Sequence, residues 1–271
     1  QYSARAMSPT LRQFVLTLAL AATLGALGGC MTVTEGGDGN EVNVQEAVAT
    51  RVAAGMKYLQ MGNPSEARRH FSRALSLNDD SAQAHNAMAL LYNYERDPEQ
   101  EEYHYRQALR ADRRYSPALN NYGTLLFSQG RYQEALDKFK RAANDPNYEG
   151  RASAFSNMGA AYKALGKAEQ AREAYVRSLR LNPRSSQVLL ELARLYYDDG
   201  RPKLGWDYYR DYERRVRPQS AEALWVGIRL AAALGKRDQQ SSYELALQNL
   251  YPGSREFRLW RDWRNGQEGA E

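Results

Sequence analysis

A small residue recurs about every 34 positions and constrains the fold more than any other feature of the sequence. Four of the five intervals are 34 residues and one is 36, and a Gly follows seven positions later in most copies. The recurring small residues are Gly55, Ala89, Gly123, Gly159, Ala193 and Gly227. A pattern that keeps its phase through six copies predicts a chain of six similar structural units.

The segment 118–142 shows what one unit contains. Gly123, Ala135 and Ala142 are small residues where two helices must approach closely, and Leu126 and Phe139 are large apolar residues at helical spacing. A Gly at position 130 falls where the first helix should end. This helix–turn–helix pattern with a 34-residue period resembles the tetratricopeptide repeat.

The resemblance predicts an all-α protein, a right-handed α-solenoid in which each helix pair buries its apolar face against its neighbours. The predicted repeats are 48–81, 82–115, 116–149, 152–185, 186–219 and 220–253. Two extra residues around 144–150 explain the interval of 36. In repeat 2, Arg96-Asp97-Pro98 replaces the Gly turn and Glu101 stands at a small-residue position, so looser packing is expected there.

Residues 1–29 have the properties of a targeting segment. Arg5 and Arg12 precede an apolar run of 14 residues, from Phe14 to Leu27, which is too short to span a membrane. The run ends Leu27-Gly28-Gly29-Cys30, which resembles the bacterial lipobox. That resemblance implies cleavage before Cys30 and lipidation of its thiol. The alternative is an ordinary signal peptide with an incidental Cys.

The lipobox resemblance has further implications for localisation. Met31 stands where an Asp would imply retention in the inner membrane, so the periplasmic face of the outer membrane is expected. Residues 30–47 are polar and contain three Gly, which predicts a lipidated flexible tether before the first repeat.

Composition excludes several classes of function. The net charge of +5 falls to +3 without the two arginines of the leader, which is too mild for a nucleic-acid-binding protein. Basic runs such as Arg68, Arg69 and Arg73 are interpreted as solvated helix faces. The single Cys excludes an internal disulfide and a Cys-based metal site.

No catalytic or metal-binding pattern stands out in the sequence. The three histidines, His70, His85 and His104, lack the spacing of metal ligands and are predicted to be packed or at the surface. The chain has no phosphate-binding loop outside the leader, no HExxH and no GxSxG. A protein that is not an enzyme is therefore predicted, with no metal, no small-molecule substrate and no cofactor besides the lipid on Cys30.

The repeat phase also predicts a partner-binding groove. In repeats of this type, defined positions of the first helix point into a concave groove, and Asn there tends to hold the main chain of a ligand. The predicted groove residues are Met56, Asn86, Leu90, Asn93, Asn120, Thr124, Phe127, Lys163, Arg194 and Tyr197. Apolar residues with amides in repeats 1–3 suit an extended segment. The alternative is that these side chains pack against the loops of the repeats themselves.

The tail, 254–271, alternates basic and apolar residues from Arg255 to Arg264. One interpretation is a short helix that caps the exposed last face of the solenoid. The other is a contact with an anionic membrane or a partner.

Four blocks of sequence carry a more specific resemblance. They are the leader that ends at Cys30, LNNYGTLLFSQGRYQEAL at 119–136, GIRLA at 227–231 and LYPGS at 250–254. With these blocks the chain resembles the type IV pilus biogenesis lipoproteins, or pilotins, of the PilF/PilW family. The resemblance implies an outer-membrane lipoprotein that binds the type IV pilus secretin subunit and promotes its localisation and multimerisation. Alternatives are an adaptor that recruits cell-wall hydrolases and an accessory factor for barrel assembly.

Overall fold

The computed structural model describes residues 38–268, with side chains from 43 to 266, and that part of the chain forms thirteen α-helices. The six predicted helix–turn–helix repeats are confirmed, and the all-α fold with them. The pairs are α1 (Asp38–Gln60) and α2 (Pro64–Leu77), α3 (Ala82–Glu95) and α4 (Pro98–Ala111), α5 (Ser116–Ser128) and α6 (Tyr132–Ala143), α7 (Arg151–Ala164) and α8 (Ala168–Leu181), α9 (Ser186–Asp198) and α10 (Pro202–Glu213), and α11 (Ala221–Ala233) and α12 (Arg237–Leu250). A last helix, α13, spans Arg255–Glu268.

The part of the chain from residue 46 onward forms one compact unit, which contains the six repeats. The predicted leader and Cys30 lie outside the described residues. None of the helices that are described has the length and apolar character needed to cross a bilayer.

Helix α1 begins at Asp38, inside the range 30–47 predicted as a tether. No Pro lies between Asp38 and Gln60. Val48 and Val52 are buried. Once such packing has nucleated a helix, adding a further turn costs little free energy. The helix therefore continues towards the N-terminus well beyond the residues that the repeat itself needs.

The turn inside each repeat closes by the same hydrogen bonds. In repeat 3, the Gly130 N–H donates to the Phe127 carbonyl at 3.0 Å and the Arg131 N–H donates to the Leu126 carbonyl at 2.9 Å. This way of ending a helix requires a residue in the left-handed helical conformation, and Gly130 has φ +75°. In repeat 2, Arg96 adopts φ 62° at this place, which costs about 1 kcal/mol for a residue with a Cβ.

The recurring small residue lets the two helices of a repeat touch. A Cβ built on Gly123 would lie 2.6 Å from a ring carbon of Phe139, and one on Gly159 would lie 2.8 Å from the Tyr175 ring. Each of these repeats thus inserts an aromatic ring from its second helix against the backbone of its first. This contact fixes the close approach that the periodicity predicts.

Repeat 2 does not show the predicted looser packing. Glu101 is only 4% exposed, and the amide nitrogen of Asn93 donates to both its carboxylate oxygens at 3.2 Å. Burial raises the pKa of Glu101, and hydrogen bonds from Asn93 and Tyr105 oppose that shift. Tyr105 and Ala108 are fully buried beside it. A hydrogen-bonded carboxyl group fills the place of the expected small residue.

Helix α13 packs on repeat 6. Trp260 is 2% exposed and belongs to the same apolar cluster as Leu224, Tyr243 and Leu247. Trp263 meets Trp225 of α11 edge-on, with ring centroids 5.8 Å apart. These contacts are the ones that a capping helix requires, so capping by residues 254–271 is kept as a proposal to be tested by substitution.

Candidate functional site: a groove face on the first helices

The first helices of successive repeats contact one another through polar side chains. The Asn121 amide donates to the Asn86 amide oxygen at 3.2 Å, and the Asn157 amide donates to that of Asn120 at 3.1 Å. Further along, Lys163 pairs with Glu191, and Arg194 pairs with Glu222. We call the surface that these residues share on α3, α5, α7, α9 and α11, with its continuation on α1, the groove face.

Asn86 and Asn120 lie on the groove face but are committed to the neighbouring repeat. Each is 8% exposed, and each uses its amide oxygen to accept from an Asn of the next first helix. The amide pairs therefore join repeats 2, 3 and 4. The main chain of a ligand could hydrogen-bond only to the donors and acceptors of these amides that are not already used.

The apolar side chains predicted for the early repeats are half-buried. Leu90 follows Asn86 by one helical turn and so lies on the same side of α3. Phe127 rests against Tyr132, with ring centroids 5.1 Å apart, and Met56 occupies the position in α1 that Leu90 occupies in α3. Each of the three keeps part of its surface in water. Covering them with a partner would remove apolar area from water without breaking a polar contact.

The exposed polar residues among the early repeats are held by local bonds. Asn93 donates to Glu101, and the Thr124 hydroxyl donates to the Asn120 carbonyl at 3.1 Å. Tyr94 is 51% exposed beside them. The early groove face is therefore a mixed surface of apolar side chains and anchored polar groups.

The later repeats present a ladder of ion pairs instead. Glu191 accepts from Lys163 at 2.8 Å and from Arg194 at 2.5 Å, and Arg194 reaches Glu222 at 2.8 Å. Arg229 lies 3.6 Å from a carboxylate oxygen of Asp198. The charges of this part of the face are thus paired with one another, while the buried Nε of Arg229 has no hydrogen-bond partner among the described residues.

Two aromatic residues complete the late groove face. The Arg229 guanidinium lies over the ring of Tyr197 at 4.8 Å and over that of Trp225 at 5.3 Å. Trp225 is in turn in contact with Trp263 of α13. Tyr197, predicted as a groove residue, is therefore covered on one side by a cation from the next repeat.

The repeat phase did not identify the residues that join the first helices. Asn121, Asn157 and Glu191 occupy one equivalent position in repeats 3–5, at intervals of 36 and 34. Their signal was available, because polar side chains recur there in step with the small residue. The sequence alone did not indicate which neighbour each would contact.

Two histidines form a pair between the two helices of repeat 2, α3 and α4. The Nδ1 atoms of His85 and His104 are 3.0 Å apart, and His85 Nε2 lies 2.9 Å from the Asp79 carbonyl oxygen. Burial, followed by the charges of His85 and Arg68, lowers the pKa of His104 to about 4. Across residues 43–266, no group of three or more His, Cys, Asp or Glu side chains is arranged to hold a metal ion.

Comparison with known proteins places these features in a family. Family models described as tetratricopeptide repeat match residues 52–116, 114–184 and 157–221. The chain is 37% identical over 236 residues to the type IV pilus assembly protein PilF of Pseudomonas aeruginosa, covering 86% of this chain and 92% of that protein. The chain belongs to the PilF/PilW family of type IV pilus assembly proteins.

Solved structures of the PilF/PilW family share the fold. A structure of P. aeruginosa PilF matches with a TM-score of 0.77 at 36% identity, covering 81% of this chain and 99% of that one. The crystal structure of PilW, described as a widely conserved type IV pilus biogenesis factor, matches with a TM-score of 0.68 at 27% identity. That match covers 78% of this chain and 97% of PilW.

Proposed function

We propose that this PilF/PilW family member is a noncatalytic assembly factor that binds the type IV pilus secretin subunit and promotes its multimerisation in the outer membrane. Lipid on Cys30 would hold the chain on the periplasmic face of that membrane. The groove face of repeats 1–3 would receive a segment of the secretin. Family membership supports a role in pilus assembly, and the groove face supports protein binding.

One observation carries the choice of binding surface. Met56, Leu90 and Phe127 keep apolar surface exposed on the early groove face, whereas Lys163, Arg194 and Arg229 are engaged in ion pairs on the late one. A ligand on the late face would have to replace these pairs. A ligand on the early face gains contacts and replaces none.

The test uses the natural host of this chain. Deletion of the gene should leave the secretin as monomers, and the complementing chain should restore multimers in the outer-membrane fraction. A Cys30→Ala variant should restore neither the multimers nor the membrane localisation. Secretin rings of normal abundance in the deletion strain would refute the proposal.

Crosslinking identifies the partner directly. A photocrosslinking residue at Leu90 or Phe127 should capture the secretin in native membranes, and one at exposed Leu245 on α12 should not. Capture of cell-wall hydrolases without secretin would favour the adaptor alternative instead.

A further inference from the structure

An arginine-lined cleft of about 490 Å³ lies between α1 and α2. Its lining residues are Arg51, Arg69, His70, Ser72, Arg73 and Ser76. No carboxylate is among them, although Arg69 pairs with Glu66 at its edge. We call this surface the repeat-1 cleft.

A cleft lined by residues of repeats 2 and 3, which we call the repeat-3 cleft, provides a comparison within the same chain. Arg113, Arg114 and Arg141 line it, so it too has three arginines, in a volume of about 310 Å³. It also contains Asp145, which accepts from the Ser116 hydroxyl at 2.6 Å. The guanidinium of Arg141 is also engaged within the cleft, because it donates a hydrogen bond to the Arg113 carbonyl oxygen. This cleft therefore has a carboxylate among its arginines, and one of those arginines already donates to a backbone carbonyl.

Position in the solenoid explains part of the difference. Arg51 occupies the fourth position of repeat 1, where repeat 3 has Leu119, and Leu119 is 2% exposed. Within the described chain no repeat precedes repeat 1, so its fourth position is exposed and a polar residue there is expected. A polar end face accounts for Arg51. It does not account for three arginines that share a cleft without a carboxylate.

One lining residue of the repeat-1 cleft, His70, has a polar atom without a hydrogen-bond partner. His70 stacks on Tyr58, with ring centroids 5.3 Å apart, and its Nδ1 is buried without a hydrogen-bond partner among the described residues. A buried polar atom of this kind is normally satisfied by protein, water or ligand. Ser72 adds an exposed hydroxyl at the rim.

We propose that the repeat-1 cleft binds the phosphate of an anionic lipid headgroup in the membrane that anchors the chain. Guanidinium groups match phosphate oxygens in charge and in bidentate geometry. The proposal rests on the anchor at Cys30, because repeat 1 is the repeat that directly follows it in sequence. Each arginine contributes roughly fivefold to binding at an anionic surface, which becomes effective once the lipid tether supplies the local concentration. The contact would hold repeat 1 against the membrane.

The experiment uses the full chain, purified from membranes and placed in nanodiscs. A Ser65→Cys variant carries a fluorescent dye one helical turn before Arg69, and lipids with a spin-labelled headgroup quench the dye on contact. Discs with 30% phosphatidylglycerol are compared with discs of phosphatidylcholine alone. The test variant adds R51Q and R73Q, and the matched control adds R113Q and R141Q in the repeat-3 cleft.

Quenching should be strong in anionic discs and weak in zwitterionic discs. In the R51Q/R73Q variant, the increase in quenching that phosphatidylglycerol causes should be at least tenfold smaller. The R113Q/R141Q control should behave as the parent chain. Equal quenching in both lipids, or equal loss in both variants, would overturn the proposal. Displacement by a few millimolar inorganic phosphate at constant ionic strength would assign the cleft to free phosphate esters instead of lipid.

The intact mass of the purified chain separately reports lipidation of Cys30. An unmodified thiol overturns the anchor but not the cleft. The same quenching is then measured with Cys30→Ala added to the Ser65→Cys chain, so that the dye attaches at position 65 alone, by mixing this chain with vesicles of the two compositions, with the same expected and contradicting results.

Discussion

The groove faces of repeats 1–3 and repeats 4–6 are built from equivalent positions but have different chemistry. The early face joins its helices through Asn–Asn pairs and leaves apolar surface exposed. The late face joins its helices through Glu191 and its two cations, and its aromatic residues are covered by Arg229 and α13. The same fold thus provides one surface that is available for binding and another whose charged groups are paired with one another.

The comparison shows that repeat geometry does not by itself make a binding groove. Side chains at one position point the same way in every repeat, but their availability depends on what the next repeat offers them. All three histidines lie in repeats 1 and 2, so the two halves also differ in their response to pH. Equivalent substitutions in the two halves should therefore have different consequences.

The largest effect is expected in the late half, at Trp260. Replacing this buried ring by Ala should lower the free energy of unfolding of the last repeats by about 3–5 kcal/mol, because α13 would no longer fill the end of the core. Trp260→Phe is the control and should cost much less, since the indole Nε1 has no hydrogen-bond partner among the described residues. Urea unfolding followed by circular dichroism measures both. Equal stability of the Ala variant and the parent would argue against capping.

Acid should destabilise the early half. An unfolded His binds a proton below about pH 6.5, whereas folded His104 binds one only below about pH 4. The unfolded state therefore takes up more protons in this window, and the free energy of unfolding falls as pH drops from 6.5 towards 4, by about 3 kcal/mol at most. Urea unfolding at several pH values measures the slope.

A substitution that copies repeat 5 isolates the contribution of His104. Tyr208 occupies the position in repeat 5 that His104 occupies in repeat 2, and it stacks on Tyr196 as His104 stacks on Tyr92. His104→Tyr should reduce the slope between pH 6.5 and 4. An unchanged slope would assign the acid sensitivity to other groups.

The early groove face should bind its partner through apolar contacts. Leu90→Ala with Phe127→Ala should weaken secretin binding by about 2 kcal/mol, or roughly 30-fold, because half-buried side chains lose the contact area that a partner would cover. Leu181→Ala with Leu204→Ala removes two exposed leucines outside the groove face and should leave binding unchanged. Isothermal titration calorimetry with the isolated secretin segment would measure the affinity. Equal losses of affinity in the two double variants would show that the early groove face is not the binding surface.

The ion pairs of Glu191 should stabilise the late groove face. Glu191→Gln should lower the free energy of unfolding by about 1–2 kcal/mol, because it leaves Lys163 and Arg194 without their shared carboxylate. Glu134→Gln breaks an exposed pair with Arg131 in repeat 3 and should leave the free energy of unfolding nearly unchanged. Chemical unfolding measures the difference. Similar costs for the two variants would mean that the ladder adds little to stability.

The smallest effect is expected at the turn of repeat 2. Arg96→Gly should raise the free energy of unfolding by about 0.5–1 kcal/mol, because Gly adopts the left-handed conformation without the steric cost. Gly166→Arg places the same strain in repeat 4 and should lower stability by a similar amount. Thermal or urea unfolding measures both changes. A neutral or destabilising Arg96→Gly would show that its side chain contributes a contact that offsets the strain.

Periodicity alone was enough to predict the helical pairs and their turns, because a small residue, a ring and a left-handed Gly at fixed spacing admit one local solution. The same pattern correctly predicted the place of the insertion between repeats 3 and 4, since α6 ends at Ala143 and α7 begins at Arg151. It did not predict the start of α1 or the compact packing around Glu101. Those depend on how far a nucleated helix extends and on hydrogen bonds from Asn93 and Tyr105.

The sequence by itself determined the repeat, its number and the family to which the chain belongs. Only the tertiary structure decided which groove residues remain available, because that depends on partners one repeat away. Asn86 and Asn120 are used by Asn121 and Asn157, and Arg194 is used by Glu191 and Glu222. A helical period specifies the face on which a side chain lies. The distance to the neighbouring helix specifies whether that side chain is already bonded.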